Sequence, residues 1–197
     1  MLTAYDAMGS GDGEAVAGKV LSDLNKKKSF ALFSKLRTRP MIRAKGSMAI
    51  VTIVIELARI LEPDFLASIS EKNQQHFLPQ CNSSANRFTK REERLKVGKL
   101  FMSRLFSYVK SAFNSDIEST DSNLMSTIFV ACFIRVGRQL LIEETKTWEQ
   151  VERKLKALAK NAVKFSGQNI AFPKDVDGIP VKKSGIKKIV EYLQTHL

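Results

Sequence analysis

Met48-Ala49-Ile50-Val51-Thr52-Ile53-Val54-Ile55-Glu56-Leu57-Ala58-Arg59-Ile60-Leu61 is the stretch whose reading decides the fold. Its first half is β-branched and has the composition of a buried strand. The apolar positions then continue through Leu57, Ala58, Ile60 and Leu61 without a turn signal, which is too long for a typical strand. The segment is therefore read as a buried helix that ends before Pro63. Once it is helical, no convincing strand pattern remains in the chain, and an all-α protein follows.

Working toward the N-terminus, Lys26-Lys27-Lys28 closes a first helix that carries Ala15, Val16, Val20, Leu21 and Leu24. Cations suit the negative end of a helix dipole. A second, short helix is expected over Phe30, Phe33 and Leu36, stopping at or before Arg39 because Pro40 disfavours helical geometry in its predecessor. Residues 1–13 are small, polar and acidic, so no secretory leader is expected. The most apolar segment is shorter than the roughly 20 residues of a membrane span, so any membrane contact would be peripheral.

Toward the C-terminus, Asp64 is the expected cap of a helix carrying Phe65, Leu66 and Ile69. Residues 73–86 are polar and include Pro79, Asn82, Ser83 and Ser84, marking a linker or hinge. A long helix follows, with Leu95, Met102, Phe106, Val109 and Phe113 in one direction at about 100° per residue. After a polar break over 114–123, the helix over 124–142 is apolar nearly all round in its first half and is expected to be central. Thr147-Trp148-Glu149-Gln150 reads as a capping box opening another helix. Residues 166–184 read as a loop, and Ile186, Ile189, Val190 and Leu193 form a last amphipathic helix. About eight helices in two packed bundles are expected, with domains over 1–82 and 83–197.

Charge bounds the function. The 197 residues carry 32 Lys+Arg against 20 Asp+Glu, a formal net charge of +12. At 44% hydrophobic residues this is a globular composition, not a disordered basic tail. Such a surface repels its own kind and attracts phosphate, on nucleic acid or on anionic lipid.

The clearest geometry lies in the helix after Trp148. Val151, Leu155, Leu158, Ala162 and Phe165 fall on one side, and Arg153, Lys156, Lys160 and Lys164 within about 40° of the opposite direction. No acid is expected on that second face, so it reads as a phosphate-facing stripe. A second cluster (Arg87, Lys90, Arg91, Arg94, Lys96, Lys99) is distributed around its helix and interrupted by Glu92 and Glu93. Lys90, Arg91 and Arg94 are its candidate contacts. A third, Arg37, Arg39, Arg43 and Lys45, flanks Pro40. Aromatic interleaving of the kind that stacks single-stranded bases is weak, with only Phe88 embedded in a basic run. The expected binding is charge-driven and salt-sensitive, not sequence-reading.

Chemistry-bearing residues are sparse. His76 and His196 are far apart, and His76 with Cys81 supplies two ligands where a zinc site wants four. Cys132 lies in an apolar run, where cysteine behaves as a small hydrophobe; two cysteines make no disulfide framework and fit a reducing compartment. Glu143-Glu144 reads as helix-end decoration, and no Gly-rich phosphate loop or nucleophile set is present. No enzyme activity, cofactor or metal is expected.

Leu36-Arg37-Thr38-Arg39-Pro40-Met41, followed by Lys45-Gly46-Ser47-Met48, resembles the orthomyxovirus matrix proteins. Those of influenza carry Leu-Lys-Thr-Arg-Pro-Ile before a Lys-Gly and an apolar helix. The match spans under a tenth of the chain, and the proline lies closer to Lys-Gly here. The resemblance implies helical N- and C-terminal domains, self-assembly into a layer beneath a viral envelope, and contact with anionic lipid and with ribonucleoprotein. It also implies a place in the virion and, in the infected cell, in the cytoplasm, at the inner face of the plasma membrane and in the nucleus. Arg153-Lys154-Leu155-Lys156 repeats the first four letters of the family's Arg-Lys-Leu-Lys-Arg run, but farther from Pro40 than the family pattern. Lys90-Arg91-Glu92-Glu93-Arg94 sits nearer the expected place and lacks the unbroken charge. The family's Cys/His motif has no counterpart. An RNA-binding nucleocapsid-type protein using the same basic faces is the alternative.

Overall fold

The computed structural model describes residues 12–32, 36–37, 48–49, 51–69, 90–113, 126–142, 148–166, 175–176, 179–180 and 186–195. Seven helices occur among them: α1 (Asp12–Leu24), α2 (Val51–Ala58), α3 (Pro63–Ser68), α4 (Arg91–Ala112), α5 (Thr127–Ile142), α6 (Trp148–Ser166) and α7 (Ile186–Thr195). The chain is all-α. Two strand pairs of two residues each accompany the helices, too short to build a core sheet. β1 (Leu36–Arg37) runs parallel to β2 (Met48–Ala49), and β3 (Asp175–Val176) antiparallel to β4 (Ile179–Pro180).

The deciding stretch splits as its composition suggests. Met48 and Ala49 take extended pairing, and the helix begins at Val51. Beyond Ala58 the backbone tightens, with Ile60 N–H donating to Leu57 O at 3.0 Å and Leu61 N–H to Ala58 O at 2.9 Å. That tightening places Ile60 and Leu61 in the core side by side, both fully buried. Glu62 then adopts the extended geometry that a following proline demands, and Pro63 opens α3. Asp64 is not the cap. It sits in the first turn, Glu62 holds the cap position, and no side chain caps the helix there.

The short helix expected over Phe30, Phe33 and Leu36 is absent from its described residues. Turns follow α1, with Lys27 N–H bonded to Leu24 O and Phe30 N–H to Lys27 O, both at 2.9 Å. Phe30 and Leu32 are both buried although two positions apart, a spacing that one helix face does not provide. Leu36 lies in β1, opposite Met48. The loop over 166–184 likewise contains β3 and β4, with Asp175 opposite Pro180 and Val176 opposite Ile179. Asp177-Gly178 stands between them in sequence, a strong hairpin signal that the helical reading passed over.

One apolar cluster joins helices from both halves of the chain. It runs from Val16, Val20 and Leu21 of α1 through Ile53, Leu57 and Leu61, then Phe101, Leu105 and Phe106 of α4, to Phe129–Ile134 of α5 and Ile189 and Leu193 of α7. Helix α1 packs on α2 and α4, while α5 packs on α2, α4 and α7. Helix α6 packs on α4. As its all-round apolar pattern implies, α5 is central. Ser126 caps it, its Oγ accepting the Phe129 N–H at 3.4 Å.

Two glycines set how closely the helices approach. A Cβ at Gly98 of α4 would stand 2.8 Å from Val20 Cγ2 and 3.2 Å from Leu61 Cδ1. One at Gly137 of α5 would stand 2.8 Å from the Phe101 ring. Close backbone approach at both crossings depends on the missing side chain.

Candidate functional site

Helix α6 divides apolar from cationic residues. Val151, Leu155 and Leu158 are buried where the helix meets α4, and Arg153 and Lys156 are exposed on the other side. Glu149 in the first turn complements the dipole. Lys160 and Lys164 continue the same helix, and their side chains lie outside the described residues, as do those of Ala162 and Phe165. Thr147 of the expected capping box also lies outside them.

The stripe is not free of acids. Lys156 Nζ lies 2.8 Å from Glu152 Oε1, one turn back. Four positions advance about 40° around the helix, so Glu152 borders the cationic face closely enough to engage it. The side chains of the pair are 51% and 30% exposed, of a kind worth under about 1 kcal/mol. Nearby burial raises the Tyr108 hydroxyl pKa, with Arg104 opposing and Glu152 and Glu149 adding to the rise. The acids at the start of α6 therefore lie close enough to α4 to act on Tyr108.

The second cluster is largely structural. Arg94 is buried, 3% exposed, and donates through Nη2 to Asp12 Oδ2 at the start of α1. It is not a surface phosphate contact. Its Nε is buried without a hydrogen-bond partner. The signal was available: Arg94 lies three to four positions before Val97 and Gly98, and seven before Phe101, on the buried stripe. Lys99 bonds to Asp23 Oδ2 of α1 at 2.6 Å, and Lys96 to Glu93 at 2.8 Å. Lys90 and Arg91 remain exposed at the head of α4. In the third cluster, Arg37 lies in β1, and Arg39, Arg43 and Lys45 lie outside the described residues.

Lys26, Lys27 and Lys28 are exposed in the turns after α1. Lys110, and Lys187 and Lys188 on α7, are exposed as well.

Sequence reasoning missed a charge centre inside the bundle. Glu56 of α2 is 4% exposed. Its Oε2 accepts from Arg135 Nε of α5 at 3.0 Å, and its Oε1 accepts from both Arg135 Nη2 and Arg59 Nη1, the latter at 3.1 Å. The two hydrogen bonds that Arg135 donates to Glu56 raise the Arg135 pKa against the opposing effect of burial. A lone glutamate inside Ile53-Val54-Ile55-Glu56-Leu57 was the available signal, since a carboxylate on a buried helix needs a partner.

Cys132 is fully buried beside α7, its Sγ 3.9 Å from Ile186 O. Burial pushes its thiol pKa up to about 12, which suits packing and not nucleophilic work. His76, His196 and Cys81 lie outside the described residues. Among the described residues, no three His, Cys, Asp or Glu side chains form a metal-binding group. Nor is any described helix long and apolar enough to cross a membrane. No family model, no curated protein and no solved structure matches the chain.

Proposed function

We propose that this protein is a viral matrix protein of the orthomyxovirus kind, which coats anionic membrane through basic surfaces and assembles into a layer beneath the envelope. The observation that carries the reading is α6. It is anchored to α4 by one apolar face and presents Arg153 and Lys156 on the other, in a chain of net charge +12. Lys160 and Lys164 stand four and eight positions beyond Lys156 on the same helix. Each cation near an anionic leaflet supplies about 1 kcal/mol, so four aligned cations recruit the chain without an acyl anchor. Subunits this positive crowd together only when a polyanion screens them. Assembly therefore depends on lipid, and ribonucleoprotein is a second polyanion for the remaining basic surface.

The experiment is co-flotation with liposomes, with and without phosphatidylserine, at low and high salt. Flotation with the anionic lipid alone, reversed by salt and abolished by Arg153, Lys156, Lys160 and Lys164→Glu, supports the reading. Salt-insensitive flotation overturns its electrostatic basis. Failure to float, joined to RNA binding that falls steeply with salt, favours the RNA-binding nucleocapsid-type reading.

A further inference from the structure

We propose that Arg59 and Arg135, which share Glu56, together with Arg138, one turn beyond Arg135 on α5 and stacked on Phe65 of α3, form a binding site for a phosphomonoester. The site is separate from the α6 face, and its existence does not depend on the membrane reading.

Glu56 carries one negative charge and engages two guanidiniums, Arg59 and Arg135. Arg138 lies one turn beyond Arg135 on α5, so the two share a helix face. Its guanidinium stands over the Phe65 ring of α3, 4.7 Å from the centroid. Its Nε is shielded from water and has no hydrogen-bond partner. No described carboxylate lies within ion-pair distance of Arg138. Glu62 and Asp64, beside Phe65, are exposed and pair with none of the three arginines. On α7, which packs against α5, Glu191 is turned to Lys187 of its own helix at 3.9 Å. Among the described residues, three fixed positive charges against one negative leave a local excess of two.

The donors suit a tetrahedral dianion. Each guanidinium has five N–H donors in a rigid fork. Glu56 takes one from Arg59 and two from Arg135. The Arg59 side chain is 46% exposed and that of Arg135 25%, so the donors these two keep beyond Glu56 face solvent in part. Glu56 holds Arg135 by two hydrogen bonds, and Phe65 holds Arg138 by stacking. The arginines are thus oriented before any ligand arrives, which reduces the ordering cost of binding. A phosphomonoester carries a charge near −2 at neutral pH and matches the excess. A phosphodiester carries half of that.

The test is calorimetric titration of the full chain with glycerol 3-phosphate at physiological ionic strength. Saturable binding is expected, weakened about tenfold or more by Arg138→Gln or Arg59→Gln. Arg138→Lys restores it only in part, because lysine keeps the charge and loses the fork. Reversing the four α6 cations leaves it unchanged, so loss of flotation in that variant and loss of this site are separable. Vesicles containing phosphatidic acid or phosphatidylserine distinguish the sources of the group. A phosphatidic acid preference that Arg138→Gln removes assigns a lipid headgroup, and glycerol 3-phosphate binding without that preference assigns a soluble phosphate. The unaltered protein offers a second measurement, amide shifts on adding glycerol 3-phosphate, expected at 56–65 and 135–139. Absence of saturable binding, shifts confined to other helices, or equal affinity in Arg138→Gln overturns the proposal.

Discussion

Replacing Glu56 by alanine is expected to destabilise the bundle by about 2–3 kcal/mol. The carboxylate side chain is 5% exposed and joins α2 to α5 through Arg135, with Arg59 as a second partner. Removing one member of a fully buried ion pair costs about 3–5 kcal/mol, because the other charge stays buried without compensation. Here Arg135 keeps 25% of its side chain in water and Arg59 46%, so rehydration recovers part of that penalty. The lower figure follows from this exposure. For a chain of this size each 1 kcal/mol moves the melting temperature by about 2–4 °C, so a fall of about 5–10 °C is expected. Denaturant unfolding of the single variants Glu56→Ala and Arg135→Met and of the double variant supplies the cycle. The double variant should cost less than the sum of the singles, since neither leaves the other's charge stranded. A loss below about 1 kcal/mol in Glu56→Ala, or strictly additive costs, refutes the idea that this charge centre ties α2 to α5.

Three further outcomes follow from the packing. Gly98→Ala brings a Cβ within 2.8 Å of Val20 Cγ2; the overpacking cost of about 1–3 kcal/mol should exceed the helix-propensity gain of about 1 kcal/mol, and an unchanged or raised melting temperature counts against the close α1–α4 crossing. Burial raises the Asp23 pKa, but hydrogen bonds from Lys99 and Lys19 outweigh it and hold the carboxyl below its ordinary value of 3.8. The stabilisation is therefore complete above that value and is lost as pH falls through the lower folded one. Acid unfolding curves of the wild type and of Asp23→Asn should converge over that window, and curves that stay parallel there contradict the assignment. In a Cys81→Ser background, Cys132, with its thiol pKa pushed up to about 12, should resist a thiol reagent at mildly alkaline pH until the protein unfolds, and rapid labelling of the folded chain disproves its burial.

The helices most legible in the sequence were those whose apolar spacing stays regular over several turns. The α4 stripe through Met102, Phe106 and Val109 is buried as its spacing implies, with Phe113 continuing it one residue past the helix end. The apolar face of α6 and the four core positions of α7 are likewise buried where described. Local backbone events were less legible. The turns around Phe30, the two-residue strands and the cap at Glu62 depend on hydrogen bonds across a few residues, where periodicity carries little information. Basic residues were the hardest to place. Arg94 and Arg91 stand three positions apart in one cluster, yet the first is buried against Asp12 and the second is exposed.

Composition and spacing alone determined that this chain is helical, that it carries a large positive charge and that one helix separates apolar from cationic residues. These follow from the sequence because helical periodicity and net charge are sums over local positions. Tertiary structure decided which cations are spent inside the bundle. Asp12 and Asp23 of α1 engage Arg94 and Lys99 of α4, and Glu56 of α2 engages Arg135 of α5, across 82, 76 and 79 positions of sequence. The physical reason is that Coulomb attraction and desolvation act through space, so a charge is assigned to the core or the surface only when distant helices meet.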